Sequence, residues 1–255
     1  MEIGDFLVSN LHPPFSMKYQ HTHLIGFVLL LGLLSLACSV PFLGPEEPPA
    51  TPTPMGDTLQ YKIPAPAYVY NLAPGESVPG TRLEYVGKNG DAYDVRIDGL
   101  AATKRIGDSF IWSGTVAPGV SANYNLKLTT EVLGKLPVAG SVDLLIFNPA
   151  PIEVSTVPVE SALLNYRLIS TNYQMPPGAG IPGTTLTYVG TTTQAGSEVA
   201  ELSGLTGYPY LARGDSLAWT GKLLNNVYVR YDWRVLDINE FGLDLTGTAE
   251  LWITP

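Results

Sequence analysis

The sequence predicts an all-β protein: two tandem copies of a small antiparallel β-sandwich, or of a small barrel, placed after a signal peptide and a Pro-rich linker. Three observations carry this. Beyond residue 58, apolar and polar residues alternate with period two, as half-buried strands require, and no segment after residue 38 sustains a helical period. Gly and Pro, 26 and 22 of 255 residues, punctuate that alternation, while Tyr, Val and Thr supply residues that suit a pleated, half-buried surface. The chain also repeats itself. PGTRLEYVG (Pro79–Gly87) recurs as PGTTLTYVG (Pro182–Gly190), IGDSFIWSG (Ile106–Gly114) as RGDSLAWTG (Arg213–Gly221), LQYKI (Leu59–Ile63) as LNYRL (Leu164–Leu168), and GSVDLLI (Gly140–Ile146) as GTAELWI (Gly247–Ile253), in the same order and at offsets of 103 to 107 residues.

The individual strands follow from the alternation. Leu83 and Tyr85 share a face opposite Arg82 and Glu84, and Leu186 and Tyr188 repeat the arrangement. Val95 and Ile97 alternate with Asp94 and Arg96. Phe110 pairs with Trp112, as Leu217 does with Trp219. Tyr124, Leu126 and Leu128 alternate with Asn125 and Lys127; Tyr231, Trp233 and Val235 alternate with Asp232 and Arg234. Val142, Leu144 and Ile146 correspond to Ala249, Leu251 and Ile253. Each copy therefore offers six or seven strands with one buried face, which two packed sheets or a small barrel satisfy. The sandwich is the preferred form. An antibody-type immunoglobulin domain is excluded because its cysteine pair is missing, whereas a fibronectin-like topology is compatible. The expected organisation is residues 1–37 as signal peptide, 38–57 as linker, 58–152 as the first β domain and 153–255 as the second, with the Pro-containing stretch 148–160 as the joint.

The N-terminus has a different character. Leu24–Ala37, LIGFVLLLGLLSLA, is an apolar run of 14 residues, short of the roughly 20 that a spanning helix needs and fitting the apolar core of a signal peptide. Glu2 and Asp5 oppose the positive charge expected at the start of such a segment. Met17-Lys18 opens a better one, which places the expected translation start at Met17. The run ends in LSLAC, Leu34–Cys38, and this pentapeptide resembles the lipobox of bacterial lipoproteins. The resemblance covers the first fifth of the chain. It departs from the commonest pattern at Ser35, where Leu is preferred. It implies cleavage between Ala37 and Cys38, diacylglyceryl attachment to the Cys38 thiol, and acylation of the new amino terminus. Two acyl chains anchor stably where one does not. Ser39–Asp57 contains six prolines, the composition of an extended, semi-rigid spacer.

Composition narrows the chemistry. The formal charge of −9 argues against nucleic acid as a partner and against a general grip on anionic lipid. A single cysteine excludes an internal disulfide and a multi-cysteine metal site. His12, His21 and His23 are the only histidines and all precede Cys38, so the mature chain is expected to hold no histidine-dependent triad and no histidine-ligated metal. Neither cofactor nor metal is expected.

The remaining motifs have mostly structural readings. Gly107-Asp108-Ser109 and Gly214-Asp215-Ser216 suggest turns in which Asp bonds nearby N–H groups, rather than a nucleophilic Ser, which would lack a base. Trp112 and Trp219 fall on inward positions. Trp252, opposite Leu251 and Ile253, has Leu145 as its counterpart and points to a covered outer face. Asn89, Asp91 and Asp94, and Asp237, Asn239 and Glu240, lack the spacing of a calcium loop, and Asn89-Gly90 reads as a hairpin turn. Tyr208 and Tyr210, on a loop without aromatic counterparts in the first copy, are the candidate ligand-binding residues. No catalytic residue is assigned. Three readings are compatible: a non-catalytic envelope lipoprotein with a binding or structural role, facing outside the cytoplasm with a glycan or protein partner; a carbohydrate-binding lipoprotein using loop aromatics; and a carboxylate-dependent hydrolase.

Overall fold

The computed structural model describes residues 57–255. The expected signal peptide, Ala37, Cys38 and the linker as far as residue 56 lie outside the described residues. The fold is almost entirely β, with sixteen strands and one 3-10 turn, Val159–Ser161, among the described residues. Among these same residues no helix is long and apolar enough to cross a membrane.

The first half contributes β1 (Thr58–Leu72), β2 (Glu76–Ser77), β3 (Leu83–Asn89), β4 (Ala92–Ile97), β5 (Leu100–Lys104), β6 (Ser109–Ala117), β7 (Val120–Leu128) and β8 (Leu136–Phe147). The second contributes β9 (Ile152–Glu153), β10 (Leu164–Met175), β11 (Thr187–Gln194), β12 (Ser197–Ser203), β13 (Tyr210–Leu211), β14 (Ser216–Leu224), β15 (Val227–Asn239) and β16 (Gly242–Ile253). They form four antiparallel sheets, ordered β1-β8-β7-β6, β2-β3-β4-β5, β10-β16-β15-β14-β9 and β11-β12-β13. None of these closes into a barrel. In each half, one large sheet of long strands is accompanied by a smaller sheet.

The alternation in sequence becomes alternation in burial. Along β7, Val120, Ala122, Tyr124, Leu126 and Leu128 are buried while Asn123, Asn125 and Lys127 are exposed. On β15, Val227, Val229, Tyr231, Trp233 and Val235 do the same. Asn89 and Ala92 pair across a two-residue turn, with Gly90 at φ 60°, a backbone state suited to glycine. Tyr210 lies in β13, paired with Glu201 of β12; only Tyr208 of the two candidate tyrosines is outside a strand.

One outer strand of each large sheet, β1 and β10, is broken. Pairing of β1 with β8 shifts between Ile63 and Tyr68, where Pro64 and Pro66 lack the N–H a ladder needs. Pairing of β10 with β16 shifts between Tyr166 and Ile169. The sequence repeat aligns Ile63 with Leu168, which predicts both inward. Ile63 is buried, but Leu168 is 78% exposed and Ile169 takes the inward place. The bulge at Arg167-Leu168 flips the side chain outward, because one extra residue turns the succeeding side chains to the opposite face.

The buried side chains form one continuous cluster from Tyr61 to Ile253 that runs through both large sheets. The two halves meet through reciprocal contacts. Tyr61 of β1 hydrogen-bonds Tyr231 of β15, and Tyr124 of β7 hydrogen-bonds Tyr166 of β10. Gly80 sits against Leu164 and Gly183 against Leu59. Residues 54–255 make a single compact unit with this core inside it, so they constitute a piece that folds on its own.

Candidate functional site

A cleft of about 610 Å3 lies where β1 and β10 run side by side. One wall is Ile63 and Ala67–Tyr70, the other is Leu163–Leu168, and Pro79 closes one end. The two strand breaks make the space. Each pairing shifts register here, between Ile63 and Tyr68 in β1 and between Tyr166 and Ile169 in β10, while the flanking wall residues stay paired with β8 and β16. Three large apolar side chains stand exposed at its mouth: Val69 (57%), Leu163 (54%) and Leu168 (78%). A non-glycine residue at positive φ is uncommon, and Leu168 has φ 54°. Backbone strain of this kind costs about 1–3 kcal/mol and collects at functional positions.

The polar groups of the cleft are largely engaged within the protein. The Tyr70 hydroxyl donates to Glu76 at 2.8 Å, an arrangement that raises the Tyr70 phenol above its usual range. The same hydroxyl helps to lower the Glu76 carboxyl, for which the Ala73 N–H is the larger cause. Tyr166 bonds Tyr124. The Asn165 amide donates to Glu250 at 3.1 Å and to the Leu251 carbonyl at 3.2 Å. Arg167 directs its Nε to Asn165 and to Glu250, at 3.0 Å from the carboxylate. Its terminal amino groups make no hydrogen bond among the described residues, and the side chain is 68% exposed.

Tyr208 and Tyr210 are neighbours, with ring centroids 5.4 Å apart and planes at 73°. That is an edge-to-face pair, with Tyr208 68% exposed and Tyr210 half-buried. They are remote in sequence from the β1–β10 cleft and do not line it. The two Gly-Asp-Ser turns serve the backbone. Asp108 accepts from the Arg105 N–H at 2.7 Å and Asp215 from the Ala212 N–H at 2.8 Å, while Gly107 and Gly214 donate to Leu128 and Val235, each at 2.8 Å. Trp112 donates to Asp98 and Trp219 to Thr185, and both indoles are buried in the core. Trp252 is buried as well, but outside the main cluster, and its indole N–H has no partner among the described residues.

Asp94 and Asp237, in the two carboxylate clusters, are likewise occupied. Asp94 accepts from Asn89 and Thr103. Asp237 is held below the usual carboxylate range by the Asn239 amide first, then by the Ile238 N–H and Arg213. Among the described residues no cluster of metal-ligating side chains occurs.

The cleft is hidden in the sequence because alternation assigns the apolar residues of its walls, such as Ile63 and Leu168, to the core. The available signal is Pro64-Ala65-Pro66-Ala67, absent from the second copy, which interrupts a strand. Comparison with known proteins adds no further assignment: no protein-family model, no curated protein and no solved structure matches the chain.

Proposed function

We propose that this chain is an envelope lipoprotein, cut before Cys38 and held to a membrane by lipid on that cysteine, which presents a non-catalytic β module outside the cytoplasm for a binding or structural role. The observation that carries this reading is LSLAC at the end of a 14-residue apolar run, followed by a linker with six prolines. We read the module as two copies of one sandwich-like unit. The matched segments support this, since PGTRLEYVG and PGTTLTYVG enter β3 and β11, and IGDSFIWSG and RGDSLAWTG enter β6 and β14. The equivalent turns also carry equivalent hydrogen bonds at Thr81 and Thr184, each accepted by the carbonyl three residues earlier at 2.8 Å.

The test is metabolic labelling with a palmitate analogue in a bacterial host. Label is expected in the wild-type chain and absent from Cys38→Ala, which should also leave the membrane fraction. Label retained by Cys38→Ala, or missing from wild type, removes the anchor. A carbohydrate-binding role is the second reading, favoured by the exposure of Tyr208. A glycan array with residues 54–255 addresses it: binding lost in Tyr208→Ala/Tyr210→Ala supports it, and absence of binding ends it.

A further inference from the structure

We infer that the cleft between β1 and β10 is a binding site for a single-chain anionic amphiphile of the fatty-acid type. The alkyl chain would lie between the wall of Ile63 and Ala67–Tyr70 and that of Leu163–Leu168, with the acidic head at Arg167. This goes beyond the anchoring reading and does not depend on it.

Volume and lining set the class. About 610 Å3 falls within the usual range of ligand sites, which are mostly apolar with a few placed polar groups. Ile63, Ala67, Val69, Leu163, Leu164 and Leu168 give the space an aliphatic side, set beside Tyr68, Tyr70, Asn165, Tyr166 and Arg167. Large apolar side chains left exposed together around a concavity mark a binding surface, and here Leu168 is held out at φ 54° despite the backbone cost.

The competing occupants fit less well. A sugar needs unsatisfied donors and acceptors, but Tyr70, Tyr166 and Asn165 already spend theirs on Glu76, Tyr124, Glu250 and Leu251. An added peptide strand needs a regular edge with free N–H groups. β1 offers Pro64 and Pro66 at this point, and both edges are out of register. An alkyl chain asks for no hydrogen bonds. Among the described residues, the one charged group lining the cleft is Arg167. Its Nε is engaged by Glu250 and Asn165 while its terminal amino groups make no hydrogen bond among the described residues and the side chain is 68% exposed, suited to a carboxylate at the rim.

The test is calorimetric titration of residues 54–255, which lack Cys38 and so carry no attached lipid, with decanoate, dodecanoate and tetradecanoate below their micellar concentrations. Affinity should tighten about fourfold for each added methylene, the factor corresponding to ~0.8 kcal/mol of burial. Leu168→Asp and Val69→Asp, both at exposed positions, should weaken dodecanoate at least tenfold while the circular dichroism stays native. Arg167→Gln should weaken dodecanoate and leave dodecanol unchanged. Failure to bind any of the three acids, affinity independent of chain length, or full binding by Leu168→Asp and Val69→Asp overturns the assignment. An oligosaccharide or an extended peptide that binds and is lost in Leu168→Asp, with no dodecanoate binding, overturns it in favour of that occupant. None of these outcomes bears on labelling at Cys38, so the two readings fail separately.

Discussion

The phenol of Tyr61 in β1 hydrogen-bonds the phenol of Tyr231 in β15, 170 residues away. The bond has a mate in which the partners are exchanged between the two halves. Tyr61 is equivalent by repeat to Tyr166, and Tyr231 to Tyr124; Tyr124 and Tyr166 form the second bond. Gly80–Leu164 and Gly183–Leu59 obey the same rule. A surface on which residue i meets j while j meets i is the signature of an isologous pairing. The contacts between the two sets of sheets are thus reciprocal with respect to the sequence repeat.

This pairing fixes what removal of one hydroxyl should do. Tyr61→Phe takes from the buried Tyr231 hydroxyl its phenol partner and leaves it a long hydrogen bond to the Pro182 carbonyl at 3.4 Å. A buried hydroxyl left poorly satisfied costs up to about 1–3 kcal/mol, whereas removing both partners costs much less. Tyr61→Phe and Tyr231→Phe should each destabilise residues 54–255 by that order in urea unfolding, and the double variant by clearly less than their sum. Tyr124→Phe with Tyr166→Phe should repeat the result. Strict additivity in either cycle would show that the hydroxyls are not coupled.

The same tyrosines set a limit at alkaline pH. Burial raises the phenols of Tyr61, Tyr68, Tyr124, Tyr166, Tyr173 and Tyr231 above their ordinary value of 10.0, with desolvation the largest cause in each. The folded state thus holds these protons more tightly than the unfolded chain. Their contribution is fully present below pH 10 and is withdrawn as pH rises beyond it, at about 1.4 kcal/mol per pH unit for each phenol. The chain should unfold cooperatively within roughly two pH units above 10, with phenolate absorbance appearing in one step together with loss of near-ultraviolet dichroism. Gradual, independent ionisation of these tyrosines in a folded chain would contradict their burial.

How much of this is legible in the sequence depends on the distance over which each feature is decided. Strands such as β7 and β15 follow from local alternation, since each inward residue declares itself by its neighbours two positions away. The Gly-Asp-Ser turns are legible for the same reason, as Asp108 and Asp215 bond backbone groups three residues back. The tyrosine pairs are not, because nothing local says which phenol meets which. Their signal is Tyr, rather than Phe or Leu, at matching inward positions in both copies. The β1–β10 cleft is hidden by register. Ile63 and Leu168 align in sequence, but one bulge places Ile63 inside and Leu168 outside, and period-two reasoning is blind to a single inserted residue.

Leu168 also offers a separation of stability from binding. A leucine in the left-handed region pays roughly 1–2 kcal/mol that glycine does not, and glycine returns about 0.5–1 kcal/mol of that as extra freedom in the unfolded chain. With 78% of the residue exposed, little burial is lost on truncation. Leu168→Gly should therefore raise the stability of residues 54–255 by up to about 1 kcal/mol, read as a higher urea midpoint at unchanged slope. The same substitution removes apolar surface from the mouth of the cleft, so dodecanoate binding should weaken while stability rises. That opposition is what a strained residue retained for its ligand predicts. If Leu168→Gly is instead less stable than wild type, the side chain packs against the protein itself, and its exposure is not explained by a ligand.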